Sequence, residues 1–100
     1  MNTVAYYNGL ISTIDELTVP VKDRAVYFGD GIYDVAVAEQ FHPFTLDDHI
    51  NRFFCGIKQI QLPFTMSKDE FRNLIIDLLQ KLDAPGNAMI YWQASRGTDD

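Results

Sequence analysis

A histidine and an arginine three residues apart are the first side chains whose types and spacing could do chemistry. His49 and Arg52 lie in a segment whose apolar residues, Ile50 and Phe53 among them, recur at helical spacing. Since three residues make nearly one helical turn, both side chains project from one face, where the guanidinium could hold a phosphate through two of its oxygens. The alternative is a solvated helix face without a ligand, which is the commoner state of such a pair.

Tyr33 is the second candidate, because it follows a Gly-Asp-Gly segment at residues 29–31 and opens an apolar strand. Its hydroxyl could meet an anionic substrate, whereas the alternative is a buried structural tyrosine with one hydrogen bond. The glycines could bring the backbone close to a ligand, or could simply turn the chain between two strands. We expect Cys55 to be a packed thiol, because no neighbouring residue would activate it as a nucleophile.

The remaining polar residues match no familiar catalytic machinery. The lysines all lie among polar neighbours or on predicted helix surfaces, so none is an attractive nucleophile: Lys22, Lys58, Lys68 and Lys81. The chain has no glycine-rich phosphate loop, no nucleophile elbow, and no histidines or cysteines at metal spacing. We therefore expect no metal site, and these patterns alone leave the function open.

Composition restricts the class of protein. A chain of 100 residues with 47% hydrophobic and 22% charged residues fits one folded domain spanning residues 1–100. Eight basic against fourteen acidic residues give a net charge of -6, which disfavours binding to nucleic acid. The single cysteine excludes an internal disulfide and agrees with a reducing cytoplasm. Without a long apolar run or a signal peptide, we expect neither a membrane span nor secretion.

The first third of the chain predicts strands that would position Tyr33. An Asn8-Gly9 pair between apolar residues is typical of a type I′ hairpin turn. Residues 16–21 and 24–28 are two further strand candidates, and residues 32–39 form an unusually apolar strand that we expect in the centre of the sheet.

The rest of the chain predicts two helices and a final strand. Thr45 with Asp48 resembles a capping box at the start of the first helix, and Ser67 with Glu70 forms one at the start of the second. Residues 88–95 return to a strand rich in aromatic side chains. These elements predict an α+β fold, a mostly antiparallel sheet with two helices packed on one side.

Four segments in this order resemble one family. They are Asp23-Arg24, YFGDGIYD at residues 27–34, FTLDDHINRF at residues 44–53, and YWQASRGT at residues 91–98. Together they are similar to the N-terminal domain of the class IV, fold-type IV, pyridoxal phosphate (PLP) aminotransferases, and most similar to the D-amino acid aminotransferases among them.

The resemblance implies roles for a few residues. The arginine of the family's His-x-x-Arg segment contacts the cofactor phosphate, and here it is Arg52. The tyrosine after the Gly-Asp-Gly turn helps to hold the substrate carboxylate, and here it is Tyr33. The next position is usually glutamate in the D-amino acid enzymes, whereas this chain has the shorter Asp34.

The resemblance also implies a larger enzyme. The family's Schiff-base lysine, the acidic partner of the pyridinium nitrogen and an Arg-x-His carboxylate motif all lie beyond the equivalent of Asp100. We therefore expect an N-terminal domain that is inactive alone, from a cytoplasmic homodimer that transfers an amino group between a D-amino acid and a 2-oxo acid. The alternatives are an L-specific branched-chain aminotransferase, an aminodeoxychorismate-type lyase, and a non-enzymatic domain that dimerises or binds an anion at Arg52.

Overall fold

The computed structural model describes residues 2–24, 31–83, 86–95 and 97. The described strands are β1 (Ala5–Tyr7), β2 (Leu10–Ser12), β3 (Gly31–Glu39), β4 (His42–Pro43) and β5 (Asn87–Ser95), and the helices are α1 (Leu46–Gln59) and α2 (Lys68–Gln80). Both helices come between β4 and β5 along the chain. None of the helices in these ranges is long and apolar enough to cross a membrane.

The opening hairpin is confirmed. Strands β1 and β2 pair antiparallel with Tyr7 opposite Leu10, which leaves a two-residue connection. Asn8 and Gly9 have φ angles of 48° and 92°. Positive φ at both central residues is what a type I′ turn requires, and asparagine and glycine tolerate it best.

The longest strands pair with each other over their whole length. In the three-stranded sheet the order is β4, β3, β5, and all neighbours are antiparallel. The predicted central strand therefore has a neighbour on each side. Strand β4 pairs only with Ala38 and Glu39, so the first part of β3 has no partner strand on that side within the described residues.

Alternation along β3 and β5 separates two faces of this sheet. Ala36 and Ala38 are 2% exposed and Trp92 of β5 is 8% exposed, whereas Tyr33 and Tyr91 are 66% and 58% exposed. The buried residues pack with the apolar faces of α1 and α2, which contribute Leu46, Ile50, Phe53, Ile57, Phe71 and Ile75. Both helices thus cover one face, and the predicted α+β arrangement is confirmed.

The two helices begin differently. The Ser67 hydroxyl accepts a hydrogen bond from the Glu70 backbone N–H at 3.1 Å, and the Glu70 carboxylate accepts one from the Ser67 N–H at 3.2 Å, so this capping box is confirmed. The capping box predicted at Thr45 is wrong, because Thr45 has φ 49° and its side chain makes no capping hydrogen bond. A capping side chain normally belongs to a residue with extended backbone.

The strand predicted at residues 16–21 is also wrong. The backbone N–H groups of Glu16 and Leu17 both donate to the Thr13 carbonyl, and the Asp23 N–H donates to the Pro20 carbonyl, so the chain turns at both ends of this segment. Proline also lacks the N–H that a paired strand needs. Residues 25–30, which hold most of the predicted strand 24–28 and the first two residues of the Gly-Asp-Gly turn, lie outside the described residues.

A close contact between β3 and β5 lies where β3 begins. A Cβ atom added at Gly31 would lie 2.5 Å from the carbonyl oxygen of Ala94, which is shorter than any ordinary contact. The neighbouring atom belongs to the backbone of the paired strand, so it cannot rotate away as a side chain would. Glycine is therefore required here for the close approach of the strands.

Candidate functional site

Arg52 of α1 is held by Asp34 of β3. The Arg52 Nε–H donates to Oδ2 of Asp34 at 2.9 Å, and Nη2 donates to Oδ1 at 2.6 Å. This bidentate pair joins a carboxylate side chain that is 4% exposed to an arginine side chain that is 70% exposed. The core face of the sheet thus anchors a cation whose outer edge meets solvent.

The Asp34 carboxylate has further partners. The backbone N–H of Val35 donates to Oδ1 at 2.8 Å, and Nδ1 of His49 lies 3.0 Å from the same oxygen. That nitrogen is also 3.2 Å from Nη2 of Arg52, so the predicted common face of His49 and Arg52 is confirmed. The His49 ring meets the indole of Trp92 edge to face, with centroids 6.5 Å apart.

These contacts change the acidity of the pair. The hydrogen bonds from Arg52 lower the pKa of Asp34 to about 2, with help from the Val35 N–H and from His49, although burial alone would raise it. The same pair raises the pKa of Arg52. The ion pair is therefore complete throughout the physiological range of pH.

The outer edge of the guanidinium remains available. Of the five N–H groups of an arginine, one on Nε and one on Nη2 bind Asp34. Neither N–H of Nη1 has a hydrogen-bond partner among the residues that the structure describes. Both lie in the fixed plane of the guanidinium, and each can donate to an oxygen of a bound anion.

Arg52 and Tyr33 line one open groove of about 380 Å³. Its other lining residues are Ile32, Asp34, Phe53, Cys55, Gly56 and Gln59. The Tyr33 ring stacks on Tyr91 with centroids 5.9 Å apart, and its high exposure shows that the alternative of a buried structural tyrosine is wrong. The two site residues predicted from the sequence thus border the same space.

The expectation that Cys55 is a packed thiol is wrong. Cys55 is exposed, because it follows Arg52 by one turn on the outward face of α1.

Asp34 is a site residue that sequence reasoning missed. The sequence motif identifies it only as a departure from the family's glutamate, although it stands on the core-facing side of an apolar strand. A carboxylate in such a position needs a cationic or hydrogen-bonding partner, and that signal was available in the sequence.

The lining residues of the groove can bind an anion through Arg52. No lysine lines it, and within the described ranges no three His, Cys, Asp or Glu side chains come together as a metal site would require. The residues therefore fit the phosphate end of a cofactor such as PLP, while a nucleophilic amine would have to come from elsewhere.

A second polar cluster surrounds Asp23, which is 5% exposed. Its carboxylate accepts hydrogen bonds from the Tyr7 hydroxyl at 2.9 Å and the Ser95 hydroxyl at 2.6 Å. The Ser95 hydroxyl accepts one from the Gly97 N–H, and the Gly97 carbonyl accepts one from the Arg24 N–H. Burial and the contact with Asp23 raise the pKa of Tyr7. The cluster ties the hairpin to the end of β5.

Comparison with curated proteins gives consistent relatives. The chain is 35% identical over 89 residues to the D-alanine aminotransferase of Listeria monocytogenes serotype 1/2a, covering 86% of this chain and 29% of that protein. It is also 35% identical over 95 residues to the D-alanine aminotransferase of Staphylococcus haemolyticus, covering 95% and 33%. The chain thus spans about a third of the length of these relatives.

Solved structures share the fold. The branched-chain amino acid aminotransferase from Escherichia coli superimposes with a TM-score of 0.83 at 20% identity, covering 97% of this chain and 34% of that one. The PLP-bound form of a hypothetical aminotransferase from Mycobacterium tuberculosis gives a TM-score of 0.81 at 17% identity, covering 92% and 33%. At these identities the likeness concerns the fold alone.

The match to a protein family extends from the start of β3 to the last residue. Residues 31–100 match the family described as amino-transferase class IV, so the region that matches includes β3, α1 and both residues of the bidentate pair. Over this region the fold, the relatives and the sequence motifs agree. This chain therefore belongs to the class IV aminotransferases.

Proposed function

We propose that this chain is the N-terminal domain of a PLP-dependent aminotransferase that transfers an amino group between a D-amino acid and a 2-oxo acid. One observation carries the proposal at the site: Arg52, with its outer N–H groups free of partners among the described residues, borders the same groove as Tyr33. The choice of D-amino acids is supported by relatives named D-alanine aminotransferase at 35% identity.

Arg52 would hold the phosphate of PLP. A guanidinium stays charged at every relevant pH, so the Nη1 edge that Asp34 leaves open could bind a dianion without titrating. PLP, when bound, supplies an electron sink that stabilises negative charge at the substrate α-carbon. The aminotransferase from Mycobacterium tuberculosis, which shares the fold, has a PLP-bound form, and this agrees with the same class of cofactor here.

Tyr33 would donate its hydroxyl to the substrate carboxylate. Its ring is already fixed by stacking on Tyr91, which orients the hydroxyl without a contact to the core. Holding the carboxylate in one place decides which face of the α-carbon meets the cofactor, and so contributes to selection between D- and L-amino acids.

The complete polypeptide would continue into a second domain that carries the Schiff-base lysine and the acidic partner of the cofactor ring. Two observations support this: the chain spans about a third of its relatives, and the outer face of the sheet exposes Tyr33, Val37, Met89 and Tyr91. Large exposed apolar faces commonly contact another part of a protein. We also propose a homodimer that resides in the cytoplasm, and that these 100 residues are inactive alone.

The visible absorption spectrum of the complete polypeptide with PLP tests the proposal. We expect the band of protein-bound PLP to disappear on addition of D-alanine and to persist with L-leucine in a separate cuvette. Loss with L-leucine alone would indicate a branched-chain aminotransferase. Loss of the band without a stable aminated cofactor would indicate a lyase, and no band at all would exclude PLP and leave a dimerisation or anion-binding domain.

A pair of tyrosine variants tests the role of Tyr33. We expect Tyr33→Phe to raise KM for D-alanine about tenfold, because a charge-assisted hydrogen bond is worth roughly 1.5 kcal/mol or more. Tyr91→Phe is the matched control, because Tyr91 stacks on Tyr33 and donates its own hydroxyl to Gln93. Equal effects of the two substitutions would contradict a specific role for Tyr33.

A further inference from the structure

Asp34 is fixed to the protein more firmly than the arginine that it binds. Its carboxylate is buried, and its Oδ1 accepts a hydrogen bond from the backbone N–H of the next residue, Val35. The backbone contact fixes the carboxylate relative to β3 itself. A ligand-binding side chain attached to this carboxylate therefore takes its position from the sheet, and not only from its own helix.

The bidentate contact fixes both the plane and the direction of the Arg52 guanidinium. Because Nε and Nη2 both bind Asp34, the planar group cannot rotate without losing a hydrogen bond. The Nη1 edge then has one orientation in a side chain that is otherwise 70% exposed. An exposed arginine without such a partner would sample many rotamers.

We propose that Asp34 is a positioning residue that aims the Nη1 edge of Arg52 at the phosphate of PLP. This inference rests on the proposed function, in which Arg52 binds that phosphate. It also opposes the simplest electrostatic expectation. A negative charge beside the cation weakens its attraction for a dianion, so removing that charge would tighten binding if orientation did not matter.

The direction in which Asp34→Asn changes the Kd for PLP therefore distinguishes positioning of Arg52 from simple charge repulsion. Equilibrium dialysis of the complete polypeptide with PLP and with pyridoxal, which lacks the phosphate, gives two dissociation constants whose ratio reports the phosphate contact. We expect Asp34→Asn to raise the Kd for PLP about tenfold, in the range found when partners that orient metal ligands are removed. The Kd for pyridoxal should change less than about threefold, because pyridoxal makes no phosphate contact.

Further variants show whether Asp34 acts through Arg52. In an Arg52→Ala background, Asp34→Asn should no longer weaken the binding of PLP relative to pyridoxal, as expected when Asp34 positions the phosphate contact only through Arg52. Asp34→Glu keeps the charge and should restore most of the wild-type ratio. The matched control is Asp47→Asn, a substitution on the same helix as Arg52, which breaks an exposed ion pair with Arg72 of α2 and should change neither constant.

Three results would overturn the inference or its basis. A Kd for PLP that falls or stays constant in folded Asp34→Asn overturns positioning. If Arg52→Ala removes the preference for PLP over pyridoxal and Asp34→Asn leaves that preference intact, only the role of Asp34 is overturned. A wild-type protein that binds PLP and pyridoxal equally overturns the phosphate contact of Arg52 itself. If circular dichroism shows that Asp34→Asn is unfolded, Asp34→Ser is measured with the same expectations.

Discussion

The two faces of the three-stranded sheet are both apolar, yet only one is covered by the helices. Along β5, Trp92 is 8% exposed while its neighbour Tyr91 is 58% exposed, and along β3 the buried Asp34 follows Tyr33, which is 66% exposed. Hydrophobicity therefore does not tell the faces apart, but burial does. The inner face holds the domain together, and the side chains Tyr33, Val37, Met89 and Tyr91 of the outer face are exposed.

The largest expected difference in the loss of stability on substitution is between the neighbours Trp92 and Tyr91. Trp92→Ala should lower the free energy of unfolding by about 3 to 5 kcal/mol, because the indole packs against Phe53 and Phe71 in the core. Tyr91→Ala should lower it by less than about 1 kcal/mol, because its ring is largely in solvent. Urea unfolding measures both, and similar losses would contradict the distinction between the faces.

A smaller difference is expected between Asp34 and Tyr33. Asp34→Asn should lower the free energy of unfolding by about 1 to 3 kcal/mol, because it removes the charge from a buried hydrogen-bonded pair with Arg52. Tyr33→Phe should change it by less than about 0.5 kcal/mol. Thermal unfolding of both variants at pH 7 makes the comparison, and a stable Asp34→Asn variant would show that the pair contributes nothing to folding.

Acid should act on the inner face through the same carboxylate. The folded-state pKa of Asp34, about 2, lies below the ordinary value, so its contribution is present above about pH 4 and is lost as the pH falls toward 2. We expect this contribution to the free energy of unfolding to be about 1 to 2 kcal/mol. It is smaller than the full pKa shift implies, because Arg52 is exposed to water. Urea unfolding between pH 2 and 6 measures the loss of stability, and the part of it that is due to Asp34 should be absent in Asp34→Asn.

The smallest effect is expected at Val37 on the outer face. Val37→Thr keeps the branched shape that suits a strand and places a hydroxyl where the side chain is 55% exposed. In the 100-residue chain, the free energy of unfolding should change by less than about 0.5 kcal/mol. A loss well above this in urea unfolding would mean that this face is covered in the folded chain.

Much of the fold could be predicted from local patterns. The positive φ angles that Asn8 and Gly9 favour, the capping box at Ser67 and the period-two alternation of β3 all act over a few residues, and the structure confirms each. The prediction failed at Thr45 because its backbone is left-handed, which no nearby residue signals. Strand β4 was missed because it is only two residues long and includes Pro43.

The site could be predicted only in part. Spacing placed His49 and Arg52 on one face, since both lie on the same helix. The bond between Arg52 and Asp34 joins residues 18 positions apart on different elements, so it depends on how α1 packs against β3. Periodicity does not specify that packing. The buried position of Asp34 was nonetheless a sign that a cation lies nearby.

Gly31 limits how far this site can be redesigned. A library that seeks a new substrate range could vary Tyr33, Val35 and Val37, whose side chains leave the core face of β3 undisturbed. Position 31 offers no such freedom, because even a methyl group there would collide with the Ala94 carbonyl of the paired strand. Each larger residue would force β3 and β5 apart, and Tyr33 and Asp34 would move with them. Varying Tyr33, Val35 and Val37, while leaving Gly31 unchanged, would therefore give a larger fraction of folded variants than a library that also varies Gly31.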